Sequence, residues 1–182
     1  TTLNGAVSTT AAGGVSLTGT NLAVNNTLTT TGGGTVTVSQ SGTATLAAAG
    51  DIISDGAVSL TATGGISTAG DVITTDDDVT FASATTLTGP VSVTTGAGGA
   101  GNITFGSTLN GAQDLTLLAG TGNVTFTGVV GGTTALDDVI FTSATNVTAT
   151  TFSSATLTQS AGSGPTTLNG AVSTTAAGGV SL

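Results

Sequence analysis

An all-β parallel solenoid, a β-helix of about eight coils of roughly 21 residues per 165-residue unit, is the fold this sequence predicts. Three observations carry it. The stretch TTLNGAVSTTAAGGVSL at Thr1–Leu17 recurs letter for letter at Thr166–Leu182, so Thr166 opens a second copy of the unit that Thr1 begins. Inside that long period a shorter motif recurs, a turn-forming pair followed by an apolar, a polar and another apolar residue. Finally, 44 Thr and 30 Gly fill about two-fifths of the chain, which favours short strands cut by turns and disfavours helices.

The short motif anchors the coils. Its copies are Val15-Ser16-Leu17, Val36-Thr37-Val38, Val58-Ser59-Leu60, Val79-Thr80-Phe81, Ile103-Thr104-Phe105, Val124-Thr125-Phe126, Val139-Ile140-Phe141, Ala155-Thr156-Leu157 and Val180-Ser181-Leu182, spaced on average about 21 residues apart. Period-two alternation puts the first and third residues inside and the middle one outside. The preceding turn positions hold Gly34, Gly56, Gly101 and Gly122, or Asp78, Asn102, Asn123 and Asp138. These residues tolerate left-handed backbone or hydrogen-bond their own main chain. A second strand set falls between the anchors, at Leu22-Ala23-Val24, Leu46, Ile66, Leu87 and Leu109.

Stacking such coils at roughly 4.8 Å gives parallel ladders along an axis. Asp77–Thr85 has a related stretch at Asp137–Thr145, an offset near three coils. Two irregularities stand out: the anchors crowd together between Val124 and Ala155, and an additional motif sits at Leu115-Thr116-Leu117. An antiparallel sandwich is the competing architecture, but it does not predict a repeat of coil length. Because the anchors at Val15 and Val180 lie eight motifs apart, the unit reads as a whole number of turns. Residues 1–165 are then one solenoid unit and residues 166–182 the start of the next, within a longer array and with no separate globular domain.

Composition removes much of the vocabulary of function. The chain has no Lys, Arg, His, Glu, Cys, Met, Trp or Tyr, and its nine acids are all Asp, for a net charge of −9. Nothing could neutralise phosphate, which argues against nucleic acid or an acidic membrane as partner. Cations or cell-surface polymers are the expected alternatives, together with self-association end to end or laterally. No apolar run is long enough to span a bilayer. Regular Val, Leu and Ile and a mean hydropathy of +0.45 separate the chain from disordered Thr/Ser/Gly tracts. The triple acid Asp76-Asp77-Asp78 has no basic or imidazole partner to make a hydrolase site, so no enzyme is expected.

Four groups of residues merit a closer reading. Coil alignment puts Asp51 over Asp71 and Asp55 over Asp76. Two carboxylates at roughly 4.8 Å repel by about 3.5 kcal/mol at an effective dielectric of 20 and about 0.9 kcal/mol in water. Calcium could relieve that repulsion; solvated turn carboxylates are the simpler explanation. Asn102 and Asn123 share one turn position in adjacent coils and should form a structural amide ladder. With Asn25 and Asn146 they also begin Asn-x-Thr sequons, an alternative use that requires exposed loops. Phe81, Phe105, Phe126 and Phe141 should stack as core. A single outward file, Ser16, Thr37, Ser59, Thr80, Thr104 and Thr125, invites comparison with ice-binding faces. Ile140 interrupts it, and no paired Thr array survives four coils.

The Gly/Asn/Asp-x-Val-Thr-Phe/Leu coils resemble those of giant bacterial cell-surface repeat proteins of the filamentous-haemagglutinin type, over the whole chain. The resemblance implies a right-handed helix, secretion to the cell surface, and a role as adhesin, fibre or sheath. The expected function is therefore structural: an extracellular fibre, filament or surface layer. An adhesin stalk holding a distal binding domain is the alternative, with ice binding a third reading.

Overall fold

The computed structural model describes every residue, Thr1–Leu182, as a parallel β-solenoid of 24 short strands and no helix. The chain makes about nine turns of about 21 residues, and every strand pair is parallel with the coil before or after it. The cross-section has three sides. Face I is the six-stranded sheet Thr2–Leu3, Leu22–Val24, Ala44–Leu46, Ile66–Thr68, Thr85–Leu87 and Leu109–Asn110. Single bridges Leu109–Val130 and Val130–Phe152 carry it on to the start of strand Phe152–Gln159, against which Val172–Thr174 then pairs.

Face II runs through Val7–Thr9, Leu28–Thr30, Ile52–Ser54, Val72–Thr74, Val91–Thr94, Leu115–Leu118 and Leu136–Ser143. It continues into the far half of Phe152–Gln159 and ends at Val180–Ser181. Face III is the eight-stranded sheet Val15–Gly19, Val36–Gln40, Val58–Ala62, Val79–Phe81, Ile103–Phe105, Val124–Phe126, Val147–Ala149 and Thr166–Leu168.

Alternation builds the interior directly. Val36–Gln40 reads buried, exposed, buried, exposed, buried, and the pattern repeats in strand after strand. Because the register is parallel, like residues pile on like. Val36, Val58, Val79, Ile103, Val124 and Val147 form one continuous column inside face III. Each such side chain contributes about 1.5–3 kcal/mol by leaving water. The buried apolar residues form a single cluster running along the axis, with Leu3, Val7, Val15, Leu17, Leu168 and Val172 packed on it half-buried.

The first six anchors, Val15 to Val124, lie on face III, and the second strand set from Leu22 to Leu109 lies on face I. The last three anchors do not continue the first six. Val139-Ile140-Phe141 stacks on Leu115-Thr116-Leu117 of face II, Leu157 stacks on Val139, and Val180 on Leu157. Face III instead proceeds through Val147 and Thr166. Both sequence irregularities have this one cause: the motif changes face, and the additional motif at Leu115 is its partner one coil below. A register shift between Leu117 and Leu118 marks the transition.

The expectation that one unit makes a whole number of turns is corrected by the same pairing. Thr1–Leu3 begins on face I, whereas its copy Thr166–Leu168 lies on face III. The unit spans seven turns and two further faces, which leaves the count of about eight coils intact and removes the exact closure.

Candidate functional site

The corners hold the polar chemistry. In a parallel stack the residue just before a strand must find an acceptor for its N–H, since a buried unpaired donor costs about 1–3 kcal/mol. Here the side chain one coil below supplies it. On the edge of face III, Asp78 Oδ1 accepts from Asn102 N at 2.7 Å and from Asn102 Nδ2 at 3.0 Å. Asn102 Oδ1 accepts from Asn123 N and from Asn123 Nδ2, each at 3.0 Å. Asn123 Oδ1 accepts from Asn146 Nδ2 at 2.7 Å. Pro165 occupies the next position, and having no N–H it ends the series, its carbonyl still accepting from Val147 N at 3.2 Å.

The Asn102–Asn123 pair therefore sits inside a four-residue ladder whose foot is an acid. Asp78 and Asn146 escape a search for equal spacing because their coils are 24 and 23 residues long. Their signal is positional: each immediately precedes the Val of a strand motif. Asn25 Nδ2 likewise donates to Asn4 Oδ1 at 2.8 Å. Every amide nitrogen of the four sequons Asn25, Asn102, Asn123 and Asn146 is thus committed to a neighbouring coil or its acid foot, and a glycan there would replace a rung. Replacing Asn102 by Ala removes the acceptor that serves both Asn123 donors and should cost about 1–2 kcal/mol. Urea unfolding of the two proteins measures it.

Beside the ladder runs a file of hydroxyls. Ser16, Thr37, Ser59, Thr80, Thr104, Thr125, Thr148 and Thr167 are successive register partners on face III. The expected interruption at Ile140 does not occur, because Ile140 stacks on Thr116 of face II. Between the upper part of this file and the ladder lies an open groove lined by Asp78, Asn102, Asn123, Asn146 and their neighbouring threonines, with Pro165 at its upper end. A second hydroxyl file, Thr18, Ser39 and Thr61, flanks only three coils and stops at Ala82. Paired rows wide enough to template ice are limited to that short stretch.

Asp51 and Asp71 occupy successive coils at one corner. Asp51 Oδ1 accepts from Asp71 N at 2.9 Å, and Asp71 Oδ1 accepts from Ser92 N at 2.7 Å. Each carboxylate is thereby turned to the next backbone. Asp114 repeats the device under Asp138 N at 3.1 Å. Asp55 and Asp76 face opposite neighbours: Asp55 Oδ2 accepts from Gly33 N one coil down, while Asp76 lies against Gly99 one coil up. Asp76 is the non-glycine residue held at positive φ, 67°, a conformation Asp accommodates better than most side chains.

No three acidic groups gather at one point. Calcium takes six to eight oxygens, and the Asp51–Asp71 pair offers two carboxylates that each have an oxygen committed to backbone. The donor set does not fit a protein-built calcium cage. Adding a chelator should leave the thermal midpoint unchanged within about 1 °C, because loss of a bound ion would shift it by several degrees. Calorimetry with and without chelator reads this directly.

Inside, Phe81 and Phe105 stack with centroids 4.8 Å apart and planes 9° from parallel, and Phe105 and Phe126 at 5.3 Å and 6°. Phe141 joins from face II as an edge contact to Phe126, at 6.1 Å and 63°. Phe152, on face I, meets Phe126 at 5.6 Å and 87°. The column of four expected from sequence is thus a stack of three met by two edge-on rings from the other faces. A buried hydroxyl series also escaped the sequence. Thr30 and Ser54 share a 2.9 Å hydrogen bond, Ser54 donates to Gly34 O at 3.0 Å, and Thr95 donates to Gly101 O at 2.7 Å. These tie the end of face II to the following loop.

The fold and its ladders define a three-faced parallel β-solenoid with Asn and Asp side chains bonding coil to coil at its corners. No family model, curated protein or solved structure matches the chain.

Proposed function

We propose that this chain is a mechanical element, a length of solenoid rod within a tandem array of such units that forms or extends an extracellular filament or surface layer. The observation that carries the reading is how the second copy of the repeated stretch is received. Thr166–Leu168, Val172–Thr174 and Val180–Ser181 pair with the coil beneath on all three faces and prolong the same column. A repeat absorbed without a break makes a rod, where a repeat that closed its own core would make a bead.

The side-chain inventory supports the same reading. A chain without Lys, Arg, His, Cys or Glu has no imidazole or amine to activate its many Ser and Thr hydroxyls, and it offers trypsin-like proteases no cleavage site. The sequence resemblance to giant bacterial surface proteins points to the outside of a cell. Immuno-gold labelling of intact cells tests the proposal. Label along bundled filaments or over a continuous layer supports it; label confined to solitary projections would favour an adhesin stalk, and label inside the cell would overturn both.

A further inference from the structure

We infer that a run of these units winds its faces, each unit presenting a given surface one third of a turn round from the unit before. The inference rests on the tandem reading proposed above. Its basis is that identical residues take different sides of the same column. Thr1–Leu17 supplies strands to faces I, II and III in that order, while Thr166–Leu182 supplies faces III, I and II.

Local structure is the same in both copies, so the difference is one of place alone. Gly14 and its counterpart Gly179 have φ of 64° and 57°. Gly14 N donates to Ala11 O at 2.9 Å, and Gly179 N to Ala176 O at 3.1 Å. The corner Asn4-Gly5-Ala6 links face I to face II, whereas Asn169-Gly170-Ala171 links face III to face I. The three sides are near enough in length for one corner to serve at either position.

A second pair of related stretches behaves alike. Asp78-Val79-Thr80-Phe81 lies on face III and Asp138-Val139-Ile140-Phe141 on face II, each Asp bonded at the coil edge. The strand motif therefore specifies inside and outside but not which side. Face is set by counting residues round the column, and one unit amounts to seven and two-thirds turns.

At roughly 4.8 Å per coil a unit advances about 37 Å, and three units complete 23 turns in about 110 Å. The Asp78–Asn146 ladder and its groove would then face three directions in succession. A partner gripping that surface could approach from any side, and would find it on one side only every third unit.

The test uses the absence of native cysteine. Three double variants are made: Ser153→Cys with Ser173→Cys, Thr158→Cys with Ser181→Cys, and Thr158→Cys with Ser173→Cys. The first two pairs are register partners in adjacent coils. They should oxidise to an intramolecular disulfide at least ~10-fold faster than the third, because a disulfide needs Cα atoms within about 7 Å. If Thr158 and Ser173 link preferentially, the unit closes on a whole turn and the inference fails. Nitroxide labels on the same three pairs give the same ordering without a bond, should oxidation perturb folding. A Thr158–Ser173 link would leave the rod reading standing, whereas the expected links together with no tandem array in the native material would remove the winding along with the rod.

Discussion

Replacing Phe105 by Ala should produce a large loss of stability, about 3–5 kcal/mol. Phe105 is 1% exposed and lies between the rings of Phe81 and Phe126, so its removal empties the middle of the stack. Neighbouring coils cannot collapse into the gap without bending ladders on three faces. Because each coil contacts mainly its neighbours, the cavity should also weaken the coupling between the coils below and above it. Unfolding of the variant is expected to separate into two transitions in a urea titration followed by circular dichroism. Thr104→Ala, one residue away and facing outward, should stay within about 0.5 kcal/mol of the parent. Equal, small effects from both substitutions would remove the aromatic column as a source of stability.

Gly122→Ala should be nearly as damaging, for a reason that has nothing to do with burial of apolar surface. A Cβ at Gly122 would lie 2.0 Å from Gly101 O, 2.7 Å from Gly101 C and 3.0 Å from Ala119 O. All three are backbone atoms that cannot rotate aside, so the corner must lift away from the coil beneath. The adjacent ladder would be strained with it, since Asn123 follows immediately. The expected cost is about 3 kcal/mol, at the upper end of overpacking effects. Gly98 offers the control: a Cβ there meets nothing within 4 Å, and its φ is not in the left-handed region. Gly98→Ala should be neutral or stabilise by about 0.4–1 kcal/mol through the unfolded chain. Equilibrium denaturation of both variants reads the contrast.

Much of the fold was legible because a narrow β-solenoid repeats a simple grammar. Val, Ile and Thr alternate across each strand, and Gly, Asn or Asp marks the corner before it, so face III from Val15 to Val124 and face I from Leu22 to Leu109 could be read in order. Face II was harder to read. Its inward positions include Thr30, Ser54 and Thr74, buried hydroxyls that bond to loops and conceal the apolar alternation by which a strand is recognised.

The phase of the column was not legible at all. Asp138-Val139-Ile140-Phe141 obeys the same grammar as Asp78-Val79-Thr80-Phe81, and nothing in four residues records how many corners have been passed. The same ambiguity gave the apparent interruption of the hydroxyl file at Ile140 and the apparent whole number of turns. For the polar sites, vertical alignment identified which residues share a corner but not where their side chains turn. Asp51 and Asp71 lean onto backbone amides, and Asp55 and Asp76 diverge. Asp51, Asp71 and Asp55 each turn to a main-chain N–H that a neighbouring coil offers.

X-ray diffraction from aligned native material tests the continuous rod most directly. Coils stacked across the unit boundary place their strands perpendicular to the long axis, so a reflection near ~4.8 Å should lie on the meridian. The same ~4.8 Å reflection on the equator, or its absence from ordered material, would mean that the strands do not stack along the filament and would contradict the rod.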